Sequence, residues 1–393
     1  MPPPAPGGFT PSSGRASGSG VLPAPEFTRV DEPSTAQAMW AVVFAGGIGS
    51  RFWPLSTPER PKPLLALVSE HSLLEDTVGR LQPLIQPDRV LVVTSRDIAS
   101  AIRTAIRDVP EANILIEARP LGTAAALAWG AQEVARRAGP TSPVCAMHAD
   151  LAVGFPGAFR DSLRRSAIFA VREEALVALG VRPTRPEPSF GYLQLGDALD
   201  ADTPLAAGGA YHVTGFVEKP SEKEAAILAG DGALWHSGMI VGTARTIIEK
   251  LARYTPEIEP GLYALSRGNV AGFASQIRSV SIERGLLERV RRFLVVLADF
   301  GWDDVGTWAS LRRARDLDDD GNGALGPVHF VDAASNVVHT EAGPVVLYGV
   351  NDLLVVNLAG LTFVTSLEKA SDLKALLDAL PGSMRIKPAD GKS

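Results

Sequence analysis

The clearest chemistry in the sequence lies in Ala45-Gly46-Gly47-Ile48-Gly49-Ser50-Arg51-Phe52-Trp53-Pro54-Leu55, followed by Arg60-Pro61-Lys62-Pro63-Leu64. Glycines directly after an apolar run let the backbone come close to an anion, and consecutive N–H groups then point at phosphate oxygens. Arg51 and Lys62 add two cations suited to a group carrying several negative charges. Together these residues predict a polyphosphate cradle. It is not a Walker A loop, which ends in Gly-Lys-Ser/Thr, nor a dinucleotide fingerprint, which needs a glycine where Phe52 stands. The glycines alone are equally at home in a plain turn, so the cradle has to be judged with its partners.

The first partner is Asp150, in Met147-His148-Ala149-Asp150-Leu151, just past an apolar run where ligands bind in open α/β sheets. One carboxylate holds Mg²⁺ poorly, and the best second candidate lies in Phe300-Gly301-Trp302-Asp303-Asp304-Val305-Gly306. Each aspartate alone fits a turn or a helix cap as well; taken with the glycine loop they point to a metal site. Glu218 and Lys219, in Phe216-Val217-Glu218-Lys219-Pro220, can serve two parts of one ligand. The ammonium suits a sugar phosphate and the carboxylate accepts from sugar hydroxyls. Glu117 could accept from the N1 and N2 donors of guanine, which uracil and thymine do not present in that arrangement. Asp299-Phe300-Gly301 imitates a kinase motif, but no Val-Ala-Ile-Lys strand or His-Arg-Asp loop accompanies it.

Gly46–Leu55 with Pro61-Lys62-Pro63 closely resembles the sugar-1-phosphate nucleotidyltransferase family. Phe52-Trp53-Pro54-Leu55-Ser56 is most similar to its mannose-1-phosphate guanylyltransferases, and further matches follow in family order over about residues 40 to 310. The resemblance implies Mg²⁺-dependent transfer of GMP from GTP to mannose 1-phosphate, giving GDP-mannose and pyrophosphate. It implies Asp150 and Asp304 as metal ligands, with Asp303 at the family's usual asparagine, and Arg51, Lys62 and Asp150 as the catalytic groups. The nucleotide would meet Gly46, Gly47, Gly49, Ser50, Arg51, Glu117, Gly122 and Thr123. The sugar phosphate would meet Gly191, Glu218, Lys219, His236 and Glu283. Besides Asp303, this sequence departs from the family's pattern in two places. His236, in Trp235-His236-Ser237-Gly238-Met239, replaces the asparagine that contacts the sugar, and Leu121 and Gly122 replace an Arg-Asn beside the base. Two alternatives stay open at this point: another NTP and hexose 1-phosphate pair, or a non-catalytic regulator that binds sugar nucleotides.

These residues must be positioned by an α/β architecture. Short runs at Ala41–Ala45, Arg89–Thr94, Asn113–Glu117, Val144–His148, Ala175–Val181 and Phe293–Leu297 alternate with helical stretches at Leu73–Leu84, Thr123–Arg137, Pro156–Arg172 and Thr243–Tyr254. That alternation predicts a Rossmann-like mixed, mostly parallel sheet between helices. After it, β-type pieces at Val337–His339, Val345–Tyr348, Leu353–Val356 and Thr362–Thr365 and an end helix near Ser371–Leu380 predict a small β-solenoid-like appendage. The expected organisation is a disordered tail over 1–36, where half the residues are Pro, Gly or Ser, a catalytic domain over 37–320 and a β-rich domain over 321–393. The appendage is expected to cover the active site or make a dimer contact, so a homodimer is expected.

Composition excludes several classes. The 393 residues carry 38 Lys+Arg against 44 Asp+Glu, a formal charge of −6, which lacks the attraction that nucleic-acid binding needs. The single Cys145, mid-strand, predicts a buried small hydrophobe in a reducing cytoplasm, and Trp129 and Trp308 predict core or interface packing. No apolar run reaches the ~20 residues of a membrane span, so no membrane partner is expected.

Overall fold

The computed structural model describes residues 38–47, 49–200, 208–371 and 373–381. The tail expected over 1–36 lies outside them, as does the side chain of Ser50. Eleven strands serve the first part of the chain: β1 (Trp40–Ala45), β2 (Val90–Ser95), β3 (Ile114–Glu117), β4 (Pro143–His148), β5 (Leu151–Val153), β6 (Val177–Val181), β7 (Gly191–Ala198), β8 (Ala210–Glu218), β9 (Leu234–Thr243), β10 (Leu294–Leu297) and β11 (Trp302–Asp304). Nine of them form one mixed sheet in the order β3-β2-β1-β4-β9-β6-β10-β8-β7.

The parallel pairings concentrate in one half of this sheet, where β3, β2, β1 and β4 run together. All six residues of β1 are buried, as a strand covered on both faces requires. Its residues alternate between two cores: Val42 and Phe44 pack on one face of the sheet, Ala41 and Val43 on the other. The other half is largely antiparallel, with β9 between β4 and β6, and β7 against both β8 and β9. β7 and β9 are not among the strands expected from the sequence, because Gly191, Gly196, Gly238 and Gly242 dilute their alternation.

Four helices matter for the site. α1 (Leu73–Leu81) starts with a capping box from Ser72 and Glu75 and stops short of the expected Leu84, because Pro83 forces Gln82 into extended backbone. α2 (Thr123–Ala138) and α3 (Pro156–Arg172) cover opposite faces of the sheet. α4 (Ala244–Tyr254) is capped by the Thr243 hydroxyl, which accepts from the Thr246 N–H, so the threonine expected as its first residue is its cap. Cys145 is fully buried in β4, its thiol pushed up to about 12 by that burial.

The C-terminal part is a short coil of parallel rungs. β12 (Gly323–Leu325), β14 (Val337–Thr340) and β16 (Leu353–Leu358) stack in parallel, and β17 (Leu361–Ser366) closes the sheet antiparallel. β13 (Val328–Val331) and β15 (Val345–Tyr348) make the second face. Asn336 stitches the rungs: its amide donates to Asn322 Oδ1 and to the Val350 carbonyl, while its own Oδ1 accepts from the Leu353 N–H. The core runs across the expected boundary after residue 320. Val337, Leu354, Val356 and Phe363 of the coil pack with Phe52, Trp53, Leu55, Leu65 and Leu67 of the glycine-loop region and with Trp308 and Leu311 of α5 (Trp308–Ala314). A last helix, α6 (Lys374–Ala379), joins that cluster through Leu376 and Leu377 and is shorter than the expected Ser371–Leu380.

Candidate active site

Two cavities open at the carboxyl ends of the parallel strands, the edge at which open α/β sheets bind ligands. The smaller, about 250 Å³, is bounded by Gly46, Glu117 and Gly122. The larger, about 470 Å³, is bounded by Gly49, Arg51, Lys62, Gly191, Glu218, Lys219, His236, Glu283 and Asp304. Gly47, Thr123, His148 and Asp150 line both, so they form the waist of one continuous cleft. Every expected site residue therefore lines the cleft except Ser50, whose side chain lies outside the described residues. None of the cleft-lining residues comes from the C-terminal coil, which sits behind the glycine loop rather than over the opening.

The waist is built by a two-stranded ribbon. β5 pairs antiparallel with β11, with Leu151 opposite Asp304 and Val153 opposite Trp302. Asp150, immediately before β5, thereby comes beside Asp304 although the two are far apart in sequence. Asp303 is paired bidentately with Arg313 at 2.7 and 3.1 Å, so Asp304 alone faces the cleft. Lys62 is buried, its Nζ 2.7 Å from Asp150 Oδ2 and 5.5 Å above the Phe52 ring. Burial raises the Asp150 carboxyl, but Lys62 and His148 more than offset it and hold the group below the ordinary aspartate range. Asp304 moves the other way: burial raises it, the Asp150 charge adds to that, and Lys62 and His148 oppose it only partly. Two carboxylates that repel each other while facing a cavity are a donor set for a hard divalent cation, whose other positions phosphate and water fill. Among the described residues no third acid, His or Cys completes a closed metal cage, so the pair fits Mg²⁺ held jointly with substrate.

The glycine loop takes its shape from close contact. Gly49 has φ +73°, and a Cβ there would lie 2.3 Å from Lys62 Cβ, so any side chain would displace the lysine. At Gly46 and Gly47 a Cβ would meet nothing within 4 Å, which leaves that backbone open toward the cleft. Arg51 is exposed and, among the described residues, makes no ion pair.

At the end expected to take the base, Glu117 closes β3 opposite Ser95. Burial pushes its carboxyl up to about 7, against the pull of the Leu121 N–H. Thr123 opens α2 and accepts the Ile282 N–H at 2.9 Å, tying the base end to the segment that carries Glu283.

The end expected to take the sugar phosphate is made by antiparallel strands. His236 on β9 is buried, its ring edge-on to Phe216 at 5.7 Å, and its buried Nδ1 has no hydrogen-bond partner among the described residues. Burial pushes this imidazole down to about 4 despite the opposing charge of Glu283, so it is neutral near pH 7. Glu283 begins a single π-helical turn, Glu283–Leu287. Burial and the Glu283 charge raise Glu218, and Lys219, 3.4 Å away, pulls it back. Gly191 lines the larger cavity and lies tightly against neighbouring side chains. A Cβ there would meet the Phe216 ring at 2.6 Å and Glu218 Oε2 at 3.0 Å, so its missing side chain makes space for the site's own residues.

Sequence reasoning missed His148, which lines both cavities and acts electrostatically on Asp150, Asp304 and His236. Its position at the end of β4, two residues before Asp150, was the available signal. Phe190 and Trp302 were also missed; their rings meet edge-on at 5.2 Å in the wall of the larger cavity.

Comparison with known proteins decides the family. Residues 40–321 match the nucleotidyl transferase family. The chain belongs to this family. Mannose-1-phosphate guanylyltransferase of Sinorhizobium fredii is 31% identical over 86% of this chain and 67% of its own length. The enzyme of that name from Salmonella typhimurium is 30% identical over 88% of this chain and 74% of its own. Among solved structures, a Thermus thermophilus protein described as mannose-1-phosphate geranyltransferase superimposes with a TM-score of 0.76. It is 33% identical over 87% of this chain and 98% of that one. The likeness of this nucleotidyltransferase to the Thermus thermophilus structure thus extends over most of both chains. Among the described residues, no helix is long and apolar enough to cross a membrane.

Proposed function

We propose that this nucleotidyltransferase joins GTP to mannose 1-phosphate, forming GDP-mannose and pyrophosphate. The observation that carries the reading is the convergence of Lys62, Asp150 and Asp304 at the waist between the two cavities. A phosphate oxygen of the sugar phosphate attacks the α-phosphorus in line; the bond to the β,γ-diphosphate breaks and its electron pair leaves with pyrophosphate. Two anions must approach each other, so the protein's task is positioning and charge neutralisation. Arg51 and the open backbone of Gly46 and Gly47 suit the triphosphate, Lys62 the reacting phosphates and Lys219 the sugar phosphate. Asp150 and Asp304 would hold Mg²⁺, which would neutralise charge on the phosphate oxygens as it builds up. Glu117, Gly122 and Thr123 lie where the base would sit; Gly191, Glu218, His236 and Glu283 surround the space for the hexose.

The names of the relatives support guanine and mannose. As part of the same reading we place the enzyme in the cytoplasm as a homodimer. The lone buried cysteine and the exposed Val346 and Tyr348 of β15 support those two points. The test is pyrophosphate release with Mg²⁺, using GTP, UTP, dTTP and ATP, each with mannose 1-phosphate or glucose 1-phosphate. Turnover confined to GTP with mannose 1-phosphate is expected. Activity with another pair would overturn the specificity, and silence with nucleotide-sugar binding intact would make the protein a regulator.

A further inference from the structure

Lys62 lies within an arc, Arg60–Leu67, tied to the C-terminal coil directly at one end and, at the other, through Arg315 at the close of α5. At one end Arg60 forks onto Glu341, with Nη1 and Nη2 each 2.7 Å from a carboxylate oxygen. At the other, Arg315 Nε donates to the Leu67 carbonyl at 2.7 Å. Between these ends the contact is continuous. Arg315 Nη2 lies 3.2 Å from His339 Nδ1, and His339 Nε2 lies 3.1 Å from Glu341 Oε1. A guanidinium only donates, so Nδ1 accepts and the His339 proton belongs on Nε2, from which it donates to Glu341. The four side chains therefore form a chain of donor–acceptor contacts that the backbone from Arg60 to Leu67 closes into a ring, and Arg315 is further fixed by the Val338 carbonyl at 3.0 Å.

We propose that the ring Arg60–Glu341–His339–Arg315 is a positioning clamp through which the C-terminal coil holds Lys62 at the reacting phosphates. These four are positioning residues: none of them lines the cleft. An exposed ion pair by itself contributes little, but this one is bidentate and backed by a buried imidazole, which fixes the carboxylate's orientation. A shift of about 1 Å at a group that must meet a phosphate is enough to slow turnover substantially. Of the two roles expected for the coil, covering the active site or making a dimer contact, the first has no lining residue behind it among the described residues; on this proposal the coil sets the loop that receives the substrates.

The inference rests on the assignment of Lys62 to the phosphates, so the experiment separates the two. Pyrophosphate release is measured for Glu341→Gln, Lys62→Ala and the double variant, with folded fraction followed by thermal melting. Arg60 and Glu341 are both more than a third exposed, so the glutamine variant should fold. Glu341→Gln is expected to lower kcat about tenfold with little change in KM for GTP, and to cost less than about twofold more once Lys62 is already alanine. An equal loss in both backgrounds, or no loss in the wild type, would overturn the clamp. Normal turnover in Lys62→Ala would instead overturn the role of Lys62 itself. Arg60→Lys, which keeps the charge and loses the fork, is expected to behave like Glu341→Gln; full activity there would also count against the clamp.

Discussion

The two ends of the cleft are built differently. At the base and phosphate end, the functional groups sit in loops just past β1, β3 and β4, and opposite charges are paired, as in Lys62 with Asp150. At the sugar end, the groups project from the antiparallel strands β8 and β9 and from the turn at Glu283. There, the Glu283 carboxylate acts on an imidazole held neutral by burial, and Glu218 in turn feels the Glu283 charge. On the proposed reading the first end would stabilise charge that moves during reaction, while the second, apart from Lys219 on the sugar phosphate, would orient hydroxyls. The lesson is a division of labour: kcat should depend on the waist, and each substrate's KM on its own end.

The largest expected effect is at the waist. Asp304→Asn and Asp150→Asn should each lower kcat by about 10²–10³, with the loss partly relieved by raised Mg²⁺. Near-normal turnover in either would sink the metal assignment. Gly49→Ala comes next. Its methyl would collide with Lys62 and its backbone would be held at positive φ, so kcat should fall by about 10² with some loss of melting temperature. A melting shift without loss of kcat would show that Gly49 serves the loop and not the lysine. His236→Ala, at the sugar end, should raise KM for mannose 1-phosphate about 10–30-fold and leave KM for GTP within about twofold. If KM for GTP rose equally, the two ends would not be independent.

The same contrast explains what the sequence made legible. Loop residues such as Gly46, Gly47 and Lys62 stand among glycines and prolines that mark a turn, and Asp150 follows an uninterrupted apolar strand, so position and chemistry could be read together. The sugar strands β7 and β9 were hidden because their glycines and alternating polar residues give no clean period. His236 and Gly191 were found through resemblance alone. The purpose of Gly191 became visible only with the Phe216 ring across from it. His148 and the ring from Arg60 to Arg315 were missed for another reason. Each depends on residues brought together by pairing of distant segments, which spacing along the chain does not encode. The coil itself was legible from its evenly spaced β pieces, whereas its docking on Phe52 and Trp53 was not.

The smallest effect isolates the base end. Glu117 is pushed up to about 7, so below that pH its carboxyl is largely protonated and offers a donor where guanine needs two acceptors. Binding should therefore strengthen as pH rises through 7, with the affinity at pH 6 up to about tenfold below the plateau near pH 8. Guanosine is the ligand to use in a calorimetric titration, because it lacks phosphates that titrate in the same range. Glu117→Gln should bind more weakly and lose the pH dependence, while KM for mannose 1-phosphate stays unchanged. The sign for folding is opposite. A carboxyl raised in the folded state favours its neutral form there, so its contribution to stability is full below about 4.5 and is lost as pH rises through 7. Melting temperature and guanosine affinity should then move in opposite directions between pH 6 and 8, and Glu117→Gln should flatten both. Parallel movement of the two would mean that some other group, and not Glu117, governs the base end.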